Sequence, residues 1–268
     1  MNWPIGKTYD SGIFVVSGAD ALAYARATDD ANPRYVGEAA VAPPMFHVRP
    51  FIPLMMQMAR DPELAIDMLR LVHGEHSMRF SGLLRDGDAL RVGGELVDVA
   101  EKSSGTIFTF ALHGEVGSER VLDGTTAYFV RADKPRGGAK KPRPAVEPPP
   151  PADWSTPQVV TEDQALRYAA ASGDDNPIHT DPEVARKAGL PGCILHGLCA
   201  LAFAQRDLID HACAGDPGRL VSLSTRFTGM VFLGETLQFE VRGSGPELGF
   251  TTLNSKGRPV LIGRAEVR

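Results

Sequence analysis

Residues 17–35, SGADALAYARATDDANPRY, fall on residues 161–179, TEDQALRYAAASGDDNPIH, when the sequence is shifted by 144 places. Ala21, Leu22, Tyr24, Ala25, Ala27, Asp30, Asn32 and Pro33 then meet identical residues at Ala165, Leu166, Tyr168, Ala169, Ala171, Asp174, Asn176 and Pro177. A second match, at a shift of 147, lays Arg79, Phe80, Gly82, Gly87 and Leu90 on Arg226, Phe227, Gly229, Gly234 and Leu237. The offset changes by only three residues, so the chain reads as a duplicated unit with small loop differences. Two copies are too few for a solenoid. They predict two similar domains packed about a pseudo-twofold axis.

Each copy opens with a hydroxyl residue three places before a polar acceptor, Ser17 to Asp20 and Thr161 to Gln164, the spacing of a helix N-terminal capping box. In the first copy 51–58 and 62–72 read as helical, the second with Asp61 as N-cap and Pro62 at its first position. The pattern then turns to Val-, Leu-, Phe- and Thr-rich segments punctuated by Gly, Asp and Ser at 76–82, 89–100, 105–114 and 120–130, and again at 218–227, 235–242, 247–254 and 258–267. Helices followed by runs of antiparallel strands give an α+β class. We divide the chain into an N-terminal domain, 1–131, a linker, 132–157, and a C-terminal domain, 158–268. The linker carries the run Pro148 to Pro151 with Lys134, Arg136, Lys140, Lys141 and Arg143. So many prolines and so few large apolar groups make an extended segment that packs no core. Its basic residues are read first as solvated, and second as contacts for a phosphate of the substrate carrier.

The 268 residues are 43% hydrophobic, enough for a sizeable core, and the net charge is −5 with a pI near 5.8. No overall basic surface invites nucleic acid or an anionic membrane. Cys193, Cys199 and Cys213 form no CxxC pair, and no run of eighteen apolar residues occurs, so we expect a cytoplasmic protein with no membrane span. His73-Gly74-Glu75-His76 is not HExxH and is expected at the surface or in a loop. Gly243, Gly245 and Gly249 miss the dinucleotide spacing and read as a turn. No metal or cofactor is expected.

The chemistry concentrates in 168–197, YAAASGDDNPIHTDPEVARKAGLPGCILHG. Gly173 ends an apolar helical run and Asn176-Pro177 resists a return to helix, so Asp174 and His179 sit on a turn. Both can exchange protons near neutral pH once burial and a partner tune them. His196-Gly197 precedes the apolar run from Leu198 to Phe203, read as a helix whose first N–H groups and positive dipole end lie at Gly197. A side-chain-free position there lets a carbonyl oxygen approach closely. Asn176 braces either the turn or the catalytic pair.

Tyr168, Ser172-Gly173-Asp174, Asn176-Pro177-Ile178-His179, Asp181-Pro182 and His196-Gly197 together resemble the signature of the R-specific (type 2) enoyl-CoA hydratases, the MaoC-like dehydratases. The resemblance is dense over about thirty residues and looser over most of the chain. It implies a double hot-dog fold, each unit a helix wrapped by a curved antiparallel sheet. It also implies reversible, cofactor-free hydration of trans-2-enoyl thioesters to R-3-hydroxyacyl thioesters, with Asp174 and His179 activating one water and Gly197 supplying the oxyanion donor. The substrate would be an acyl-CoA or acyl-carrier-protein thioester, with His196 beside it, and a homodimer of such chains is a further expectation. A thioesterase of the same fold and a catalytically silent acyl-CoA-binding protein are the alternatives.

The first copy keeps Asp30 and Asn32 but has Tyr35 where the second has His179, and Val48 after His47 where the second has Gly197 after His196. A tyrosine with an ordinary pKa near 10 is a poor base at neutral pH. Only the C-terminal copy is therefore expected to be catalytic. Met45, Met55, Met56, Met58 and Met68 either fill the N-terminal core or line an adaptable channel. On the second reading Met55 and Met58 bind the acyl tail, as the resemblance implies for fused double hot dogs.

Overall fold

A computed structural model describes residues 3–132 and 150–268. The N-terminal half contains β1 (Thr8–Val15), α1 (Gly18–Ala27), α2 (Val48–Ala59), β2 (Leu71–Phe80), β3 (Ala89–Lys102), β4 (Gly105–Val116) and β5 (Glu119–Arg131). The C-terminal half repeats the order with β6 (Trp154–Val159), α3 (Gln164–Ser172), α5 (Gly197–Ala212), β7 (Leu220–Phe227), β8 (Thr236–Arg242), β9 (Glu247–Leu253) and β10 (Pro259–Val267), and inserts a short α4 (Pro182–Lys187). All strands join one ten-stranded sheet in the order β1-β3-β4-β5-β2-β7-β10-β9-β8-β6, which is the same five-strand order met from either edge. The halves are sewn together by antiparallel pairing of β2 with β7, Ser77 opposite Ser224.

Each half wraps its sheet around one apolar helix, the double hot-dog arrangement. In α5 Leu198 through Gln205 are all buried, a helix apolar on nearly every side and hence wholly internal. Its counterpart α2 is shorter and carries Pro53 inside it. The pseudo-twofold axis is visible in single residues: Tyr24 of α1 and Tyr168 of α3, equivalent at the 144-residue shift, stand with their hydroxyls 3.3 Å apart, both fully buried.

Four local expectations are corrected. Residues 62–72 form turns and the start of β2, not a helix: Asp61 accepts the Glu63 N–H as an N-cap would, but its other oxygen is held by the Tyr9 hydroxyl at 2.6 Å and Lys7 at 2.7 Å, and Ala65 has φ +46°. Residues 154–157, assigned above to the linker, belong to β6. Pro157 is tolerated there because β6 ends the sheet and one side of it needs no donor. Ser17 caps α1 by accepting the Asp20 N–H at 3.2 Å. Thr161 instead donates to Asp163, and Gln164 reaches across to the Ala27 carbonyl at 2.6 Å. His73 and His76 are interior groups of β2, as described below. Lys134, Arg136, Lys140, Lys141 and Arg143 lie outside the described residues.

Candidate active site

The turn after α3 is fixed by its own backbone chemistry. Gly173 closes the helix in the left-handed region at φ +79°, where a side chain would be strained. The Ser172 hydroxyl accepts the Asp174 N–H at 3.2 Å, Asp174 accepts the Asn176 N–H at 3.4 Å, and the Asn176 side chain accepts the Ile178 N–H at 3.3 Å. Asn176 is exposed and braces the turn, the first of its two expected roles. Arg49, at the start of α2 in the other half, donates to the Ala171 carbonyl at 2.8 Å, placing a cation on the negative end of α3 just before the turn.

His179 and His196 stack with ring centroids 3.8 Å apart. The Nδ1–H of His179 donates to the Ile194 carbonyl at 2.8 Å, which leaves Nε2 as the unprotonated nitrogen able to accept a proton. His196 donates from Nε2 to the Asp174 carbonyl at 3.0 Å and keeps a buried Nδ1 without a protein partner. It thereby ties the first residue of the turn to the N-terminus of α5. Asp174, His179 and His196 each bring a side-chain ligating atom within 4.8 Å of the other two, a spacing for sharing a proton or a water that a cation would also accept.

Burial tunes the pair. Desolvation pushes the Asp174 carboxyl above the usual carboxylate range, against the pull of His179, and pushes His179 below the usual imidazole range, against the pull of Asp174. Desolvation also takes His196 down to about 3, with His179 adding to the effect, so His196 stays neutral.

Gly197 opens α5 with His196 as N-cap. The Cys199 and Ala200 amides both donate to the His196 carbonyl, so the intrahelical ladder begins after the Gly197 and Leu198 N–H groups. A Cβ on Gly197 would lie 2.8 Å from the Phe227 ring. The glycine is therefore required by packing as well as suited to an oxyanion. The sequence motif thus brings Asp174, His179, His196 and Gly197 together. Met55 and Met58 lie apart from them on α2, buried in the N-terminal core, with Met58 packed over Gly94.

Sequence reasoning missed the facing wall. Strand β2 slips register against β5 between His73 and Glu75, a bulge at Gly74 that turns both His73 and His76 inward. His73 packs on Phe227 at 4.8 Å and on Tyr128 at 5.7 Å, and donates or accepts at Thr126 across 2.7 Å. His76 meets His47, the equivalent of His196, with Nε2 atoms 3.0 Å apart. The only sequence signal was the glycine inside a strand-like run.

Two family models cover the chain in tandem: the MaoC like domain matches residues 146–262, and the FAS1-like dehydratase domain region matches residues 4–123. The chain belongs to the MaoC-like dehydratase family. A MaoC-like dehydratase from Phytophthora capsici superposes with a TM-score of 0.84 at 26% identity, covering 100% of this chain and 96% of that one. Among curated relatives, peroxisomal multifunctional enzyme type 2 of Drosophila melanogaster is 32% identical over 82% of this chain and 39% of its own length. Probable enoyl-CoA hydratase 2 of Dictyostelium discoideum is 32% identical over 66% of this chain and 62% of its own. The chain thus spans less than two thirds of these curated relatives. A Mycobacterium tuberculosis protein described as having a double hotdog fold superposes with a TM-score of 0.65 at 16% identity, covering 99% of this chain and 96% of that one, so the fold is shared with it.

Proposed function

We propose that this protein hydrates trans-2-enoyl thioesters to R-3-hydroxyacyl thioesters and catalyses the reverse dehydration. The observation that carries the reading is the pairing of Asp174 with His179, whose Nε2 is kept unprotonated by the Nδ1–H bond to Ile194, beside the open first turn of α5. Relatives named enoyl-CoA hydratase 2 support the substrate class. Water loses a proton as its oxygen bonds to C3, electron density moves onto the thioester oxygen at Gly197, and a proton returns to C2. Asp174 and His179 exchange those two protons. The acyl group is carried by CoA or a carrier protein, and its tail passes toward Met55 and Met58 of the N-terminal half.

The N-terminal site is silent on this reading. Asp30 accepts from the Tyr35 hydroxyl at 3.2 Å and from Gln205 of α5 at 3.1 Å, while Gln205 also accepts the Met45 N–H at 2.8 Å. A plug from the opposite half thus fills the first copy's turn. Cytoplasmic location belongs to the same proposal, supported by three free cysteines, and a homodimer is to be tested by light scattering.

The test is loss of the enoyl-thioester absorbance with crotonyl-CoA and a long-chain 2-enoyl-CoA, with released thiol read in parallel. Absorbance loss without thiol is the expected result. Thiol release would instead make the protein a thioesterase, and neither signal would leave an acyl-CoA-binding protein.

A further inference from the structure

The end of α3 leaves two carbonyls for a donor from elsewhere. The Gly173 amide closes the helix on Ala169, and the Asp174 amide, which a continuing helix would send to Ala170, goes to the Ser172 hydroxyl. Arg49, in the first turn of α2 in the N-terminal half, fills the gap: one guanidinium nitrogen donates to Ala171 at 2.8 Å and lies 3.5 Å from the Ala170 carbonyl. Its second terminal nitrogen is anchored on Asp20 of α1 at 3.1 Å, while Nε is buried without a protein partner. From Ala171 the path to the proton-transfer groups is short. Ser172 is fully buried, Gly173 holds its left-handed turn, and the Asp174 carbonyl is tied to His196 at 3.0 Å. Arg49 stands two places after His47, where the second copy has Leu198 two places after His196. The helix start that lacks the glycine thus carries a cation for the other half's turn. A cation also crosses in the opposite direction, where Arg167 of α3 donates to the Arg26 carbonyl at 3.0 Å and pairs with Asp29 at 3.0 Å, beside the Asp30 turn.

We propose that Arg49 is a positioning residue of the C-terminal active site, supplied by the N-terminal half, whose guanidinium fixes the end of α3 and so the placement of Asp174 against His179 and His196. It meets no reacting atom. Every proton-transfer group belongs to the C-terminal half, yet that half alone lacks the brace that aligns them. This rests on the hydratase reading above.

The test measures kcat and KM for crotonyl-CoA hydration, together with thermal melting, in wild type, Arg49→Met and Arg167→Met. The His179 ring resonances are followed by NMR without substrate in the same three proteins. Arg49→Met is expected to lose about 10- to 10²-fold in kcat, the scale set by a displacement of about 1 Å or less, at unchanged KM. Its His179 resonances should shift. Arg167→Met, which loosens only the Asp30 turn, should melt earlier and keep its kcat and its His179 resonances. An Arg49→Met enzyme that melts earlier at wild-type kcat is a clamp on the fold and nothing more, and that result overturns the proposal. So does a raised KM at wild-type kcat, which would put Arg49 on the substrate. Should Arg49→Met not fold, Arg49→Gln, uncharged and shorter than arginine, carries the same expectation and the same two refutations. A wild type that hydrates nothing overturns the hydratase reading, and unmoved His179 resonances in the Arg49 variant then overturn the placement as well.

Discussion

Tyr35 holds in the first repeat the place of His179 in the second, and its hydroxyl is spent on Asp30, its own repeat's counterpart of Asp174. Burial raises both groups, so at neutral pH the tyrosine keeps its proton and accepts none. Asp30→Asn is accordingly expected to retain most of the wild-type turnover on crotonyl-CoA. Equal loss in folded Asp30→Asn and Asp174→Asn would reveal two working sites.

Asp174→Asn and His179→Ala should each lower hydration by about 10²-fold or more, the usual contribution of a positioned acid or base. Circular dichroism should show both folds intact, because the Ser172 and Asn176 side-chain bonds to the Asp174 and Ile178 amides survive either substitution, Asn at 174 keeps an acceptor for the Asn176 N–H, and His179→Ala gives up only the bond to Ile194. Near-normal turnover in either folded variant removes that residue from the chemistry.

Gly197→Ala separates packing from catalysis. The added Cβ must push Phe227 aside, so a fall in melting temperature is expected. If the glycine also serves the oxyanion, Gly197→Ala with Phe227→Leu should recover the melting temperature and leave turnover low. Alanine keeps the backbone N–H, so the loss would come from crowding the carbonyl away from it, bounded by the about 10²- to 10³-fold that a lost oxyanion donor costs in comparable enzymes. Recovery of both together would make Gly197 a packing residue.

The N-terminal histidine cluster predicts acid sensitivity. Burial lowers His47 and His73 to about 4, and burial, with His47 and His73 beside it, holds His76 well below the usual imidazole range. In the unfolded chain they titrate near 6.5, so between that value and about 4 the unfolded state binds more protons. Their contribution to stability is complete above pH 6.5 and is lost as pH falls toward 4. Melting temperature should drop between pH 7.5 and 5, and His73→Asn should flatten the slope. An unchanged slope would mean that His73 titrates normally.

The duplicated helix, the turn after it and strands β2–β5 and β7–β10 were legible because each is written in local chemistry: Gly173 at a left-handed position, Asn176 before Pro177, periodic apolar runs; the order of strands in the sheet, and β1 and β6 at its edges, were not. What stayed hidden depends on distant partners. Asp61 and Pro62 look like a helix start, yet Tyr9 and Lys7, far away in sequence, claim Asp61 for a turn. Pro157 argued for linker, and only the place of β6 at the end of the sheet makes a strand proline harmless. His73 and His76 looked like surface groups because the bulge that inverts them appears only once β2 meets β5.

The seam between β2 and β7 has a consequence for how such a molecule changes over generations. In a dimer of identical chains, any substitution that blocks one site blocks its twin, and selection must reject it. Here the two faces of the seam are encoded separately. Gln205, nine residues after His196, can close the turn at Asp30, while the position nine residues after His47 is Met56, so a change in one half imposes no matching change in the other.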